Sequence, residues 1–64
     1  MRESTQGRDP DVGSLVIATG QAIKDGWPNT IGIVLEMDPI DCKVLFAGWG
    51  DSWIFADYLE VISE

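Results

Sequence analysis

Thr30-Ile-Gly-Ile-Val-Leu-Glu-Met-Asp-Pro-Ile-Asp-Cys-Lys-Val-Leu-Phe-Ala-Gly-Trp-Gly-Asp-Ser-Trp-Ile-Phe-Ala56 holds three apolar runs separated by two turn signals. The first run, Thr30 to Met37, is rich in β-branched residues and carries Gly32, which argues for a strand with a bend or a close backbone approach. Asp38-Pro39-Ile40-Asp41 suits a type I turn, with Asp opening it and Pro setting φ at the second position. Cys42 to Ala47 alternates with period two, so Val44 and Phe46 share one face and are expected inside. Gly48-Trp49-Gly50-Asp51 reads as a tight hairpin, since two glycines permit positive φ. Ser52 to Ala56 is the third run and the next strand, and Trp53 on it is expected in the core.

The flanks extend the same reading. Leu15 to Thr19 is a short β-branched run closed by Gly20, where the choice between Val16/Ala18 and Leu15/Ile17 as the inward pair stays open. Gln21 to Asn29 reads as a loop, with a turn at Lys24-Asp25-Gly26 and an extended Trp27-Pro28. Asp57-Tyr58-Leu59 suits one 3₁₀ turn, and Glu60-Val61-Ile62 a final strand. Strands spaced at roughly 8–12 residues with no helical segment predict an all-β fold. In so short a chain a small five-stranded barrel is expected, because closure hides sheet edges. The expected core is Val16, Val34, Val44, Phe46, Trp53 and Leu59. Residues 1–11 are polar and punctuated by Gly and Pro, which predicts a flexible N-terminal tail before a barrel over 12–64.

Composition narrows the function classes. The chain has 64 residues, one cysteine, no histidine and a formal charge of −7. A chain of this size buries only about 60% of its unfolded surface, leaving little room for a substrate cavity beside the core. Without His, neither Cys42 nor Ser14 nor Ser52 has an imidazole to activate it, and no zinc-type ligand set exists. Asp38-x-x-Asp41 lacks calcium-loop spacing, and Gly48-x-Gly50 is too short for a phosphate loop. The expectation is a protein with no catalytic residues, no metal and no cofactor. From Val12 onward two lysines, Lys24 and Lys43, face eight acids, which argues against nucleic acid, since phosphate binding depends on basic residues. The start has no apolar run and the chain no long apolar stretch, so neither a signal peptide nor membrane association is expected. A lone cysteine fits a reducing, cytoplasmic compartment.

Gly13-Ser-Leu-Val16, Ile31-Gly-Ile-Val34, Lys43-Val-Leu-Phe46, Trp53 and Leu59-Glu-Val-Ile62, in that order, resemble small SH3-like proteins common in bacteriophage genomes. The resemblance spans about 50 residues, Val12 to Ile62, and implies an SH3-like barrel in a bacterial or phage-infected cell without implying a role. Ile31-Gly-Ile-Val34 is also similar to the Gly-x-Val of KOW motifs, which contact RNA or polymerase. KOW modules that bind RNA carry basic loops, whereas the loops here hold Asp25, Asp38, Asp41 and Asp51. The ending Phe55 to Ile62 resembles the close of signalling SH3 domains and places Tyr58 where those domains present a tyrosine to proline-rich ligands.

Aromatic residues supply the candidate binding site. Trp27 and Trp49 fall in loops, and with Tyr58 they could form a groove for a protein or peptide, because Trp and Tyr concentrate at binding centres. The alternative for Trp27 and Trp49 is a plug over an open barrel end. The leading expectation is a non-enzymatic protein-interaction module using these aromatics and strand addition at an open edge. The alternatives are a self-associating barrel, a homo-oligomer joined through spare apolar residues such as Leu15, Ile17, Leu35 and Leu45, and a KOW-like nucleic-acid contact.

Overall fold

The computed structural model describes residues 10–63. Five antiparallel strands make one sheet: β1 (Leu15–Ala18), β2 (Ile31–Met37), β3 (Asp41–Phe46), β4 (Gly50–Phe55) and β5 (Leu59–Ser63). Their order across the sheet is β4-β3-β2-β1-β5. The fold is therefore all-β in its sheet, but β4 and β5 stand at opposite ends of the order and the sheet is not closed. Most of the expected tail, residues 1–9, lies outside the described residues. Pro10 is buried, and the Asp11 N–H donates to Ser14 Oγ at 3.0 Å.

Register sorts the two faces. Val16 pairs with Gly32, Gly32 with Phe46 and Val34 with Val44, while Cys42 pairs with Ile54. These positions make the core: Val16, Val34, Val44, Phe46, Cys42, Ile54 and Leu59 are buried, with Ala18 and Ala22. Strand β1 thus turns Val16 and Ala18 inward. Ser14, the one buried polar residue among those described, is 2% exposed. Its hydroxyl and carbonyl are both used, the latter accepting from the Val34 N–H at 3.1 Å. A register shift between Val34 and Glu36 breaks the β2–β3 ladder at Leu35, and such a bulge bends a strand and raises its twist.

Two expectations are corrected. Trp53 is 42% exposed, and Ile54, at 2%, takes the core position on β4. Trp53 pairs with Lys43 on the outer face, one position out of phase with Val44, so the pleat points its ring outward. The loop expected over Gln21 to Asn29 instead begins with one helical turn, α1 (Gly20–Lys24). The Thr19 hydroxyl caps it by accepting from the Ala22 N–H at 3.2 Å. At the other end the Gly26 N–H reaches the Ile23 carbonyl and the Trp27 N–H the Ala22 carbonyl, both at 3.1 Å. With Gly26 at φ +108°, this is a Schellman stop, in which a left-handed residue satisfies the last carbonyls. Five residues are too few for a 3.6-residue periodicity to show. The hairpin after β3 follows expectation: Gly48 and Gly50 have φ of 73° and 118°.

Candidate functional site

The helix stop positions Trp27. Its ring is half-buried and packs on the core, with its centroid 6.2 Å from Phe46 and 5.9 Å from Trp49. Phe46 and Trp49 meet edge to face at 5.7 Å and 89°, an arrangement favoured by the ring quadrupoles. Phe46 is fully buried on β3, whereas Trp49, three residues on at the hairpin tip, stays 51% exposed. The three rings form a graded stack, from core to surface, that the topology assembles from the end of the α1 loop and the β3–β4 turn.

Tyr58 is placed differently. Its ring contacts Phe55 at 6.0 Å, and its hydroxyl donates to Asp25 Oδ2 at 2.6 Å across 33 residues. Asp25 also accepts from Gln21 Nε2 at 3.3 Å. The structure thus brings Trp27 and Trp49 into contact and ties Tyr58 to the segment leading into Trp27. In the sequence Asp25 marks a turn in an acidic loop, and nothing local marks a partner 33 residues along the chain.

The hydrogen bond to Asp25, then the charge of that carboxylate, then some desolvation, all raise the Tyr58 pKa above its ordinary 10.0. A raised value in the folded state gives stability present below pH 10 and lost as pH climbs through the folded value. Tyr58 is the only tyrosine in the chain, so the ultraviolet absorbance of tyrosinate reports it alone. Its titration midpoint is expected above that of free tyrosine and should fall back toward it in Asp25→Asn.

Comparison with protein-family models, with curated proteins and with solved structures found no match in any of the three.

The remaining chemistry on the surface is sparse. Among the described residues no three metal-ligating side chains converge. A shallow cleft of about 350 Å³ between Met37, Ile40, Phe55 and Pro10 holds a single carboxylate, Asp57. Lys43 sits 3.9 Å from both Glu36 and Asp51, an exposed arrangement of the kind that contributes little to stability. Cys42 is fully buried on β3, and desolvation, followed by the charge of Asp41, raises its pKa. Because the thiolate is the reactive form, Cys42 is expected to resist thiol reagents in the native protein at neutral pH. Labelling should become rapid only in denaturant, and fast native labelling would show that β3 opens locally.

No described helix is long and apolar enough to cross a membrane.

Proposed function

We propose that this chain is a non-enzymatic protein-interaction module, an SH3-like barrel left open between β4 and β5, which binds a protein or peptide partner through Trp27 and Trp49. The order β4-β3-β2-β1-β5, the bulge in β2 and the 3₁₀ turn at Ala56–Tyr58 leading into β5 support the SH3-like reading. The end position of β4 supports strand addition beside the tryptophans, since an edge strand offers backbone donors and acceptors to an extended segment. A single buried thiol is in keeping with a reducing, cytoplasmic setting.

One observation carries the binding reading: a tryptophan half exposed on a platform of two further aromatic rings. Covering the exposed half of Trp49 removes about 100 Å² from water, equivalent to about 2–3 kcal/mol. That exceeds the 1.4 kcal/mol of a tenfold change in affinity.

Titration of the labelled protein with polyproline-type and extended peptides tests it. Trp49→Ala should lower affinity at least tenfold and leave the fold intact, because the ring is at the surface. Trp27→Ala should lower both affinity and melting temperature, because its ring also covers the core. Binding unchanged in Trp49→Ala would remove this site.

A further inference from the structure

Strand pairing brings Tyr58 to both ends of α1. Ala18, the last residue of β1, pairs with Leu59, the first of β5. The residues just outside that pair, Thr19 and Tyr58, therefore meet, and the Thr19 N–H donates to the Tyr58 carbonyl at 2.8 Å. Thr19 is the N-cap of α1. The same tyrosine reaches the other end with its side chain, where its hydroxyl donates to Asp25 Oδ2 at 2.6 Å. Asp25 is the C-cap. One residue thus holds the helical turn where it begins and where it stops.

Little else holds this segment. Five residues are too few for a helix to be stable by itself, and Ala22 is the one buried residue of α1. Gln21, Ile23, Lys24, Asp25 and Gly26 are all exposed. A segment with so few apolar contacts opens more readily than the sheet beside it. Tyr58, by contrast, is anchored. Its ring packs against the core and meets Phe55 edge to face at 85°. The 3₁₀ turn that carries it is fixed by the Ala56 N–H, which donates to the Ile40 carbonyl at 3.0 Å. Trp27 follows Asp25 by two residues, through the left-handed Gly26, and its own N–H is bound to Ala22 of the same turn. Holding Asp25 therefore holds Trp27.

We propose that Tyr58 is a clasp on α1 that keeps Trp27 beside Trp49, acting on binding as a positioning residue that does not touch the partner. The effect on affinity rests on the reading of Trp27 and Trp49 as the binding site. Release of the hydroxyl from Asp25 lets the α1 turn open locally while the sheet stays intact. The fraction of molecules with both tryptophans in place then falls, and apparent affinity falls by that fraction.

Amide hydrogen exchange and titration with a polyproline-type and an extended peptide test this on the full chain. Tyr58→Phe keeps the ring on Phe55 and loses only the oxygen, and Asp25→Ala removes the acceptor. Each should speed exchange at Gly26 and Trp27 several-fold, well beyond any change at Val44 and Phe46 on β3. The two single variants and the double variant should weaken a bound peptide by the same several-fold factor, because one bond is lost in all three. Asp25→Asn, which keeps an oxygen for the hydroxyl, should recover most of the loss. Equal acceleration at Gly26, Trp27, Val44 and Phe46 would overturn the clasp, since it would show general destabilisation. So would weaker binding in Tyr58→Phe alone, which would make Tyr58 a direct contact. Exchange is read without peptide. A parent chain that binds neither peptide therefore removes the Trp27–Trp49 site, while Gly26 and Trp27 still decide the clasp.

Discussion

Phe46→Ala is expected to remove about a third or more of the stability of this fold. Phe46 is 1% exposed and belongs to the group of largest fully buried side chains. Truncating such a ring costs about 3–5 kcal/mol, from lost transfer energy and from the cavity left behind. A domain of this length has a total stability of only about 3–10 kcal/mol, so one substitution removes a third of it or more. The loss extends to the surface, because Phe46 supports both Trp27 and Trp49. Urea denaturation monitored by circular dichroism reads the stability directly. Phe46→Leu, which keeps most of the volume, should remain folded with a lower midpoint and altered tryptophan fluorescence. A Phe46→Ala variant as stable as the parent would mean that the core does not depend on this ring.

Gly32→Ala should be the second most damaging change, although it adds only a methyl group. A Cβ built at Gly32 would lie 2.5 Å from Val44 Cγ1, 3.1 Å from the Leu45 carbonyl oxygen and 3.1 Å from Phe46 Cδ1. Val44 is fully buried, so its methyl has no open space to move into. Overpacking of this sort costs about 1–3 kcal/mol, against which the reduced freedom of the unfolded chain returns less than about 1 kcal/mol. The urea midpoint should drop with little change in slope, as for a loss of stability without a change in compactness. The mechanism has its own check in a double variant. Val44→Ala removes the clashing methyl, so Gly32→Ala/Val44→Ala should be more stable than the sum of the single effects by more than about 0.5 kcal/mol. Strict additivity would assign the damage at Gly32 to the backbone and not to Val44.

Gly32 also shows how far local pattern reaches. A glycine inside a β-branched run signals a close approach, and the structure has one there, against the next strand. The inward set on β3, Val44 and Phe46, follows from period-two alternation, and the turns at Asp38–Asp41 and Gly48–Gly50 follow from their Asp, Pro and Gly residues. Trp53 does not follow. On β4 the run Trp53-Ile54-Phe55 is apolar on both faces, so alternation gives two equal answers. The expectation of Trp53 in the core takes the wrong one. The pairing of Trp53 with Lys43 decides it, and that register belongs to the sheet. Likewise α1 is marked only by Thr19 before it and Gly26 after it, cap residues that also read as turn residues when the segment between them is a single turn.

The amino-acid sequence by itself determined the strand-forming character of this protein, its turns and most of its core, because these depend on neighbours within a few residues. Only the tertiary structure decided which face of β4 is buried, that the sheet stays open between β4 and β5, and that Asp25 meets Tyr58. It alone gathered Trp27, Phe46 and Trp49 into one stack. The reason is that strand register and long-range approach are set by the joint packing of all five strands, a quantity no single segment contains.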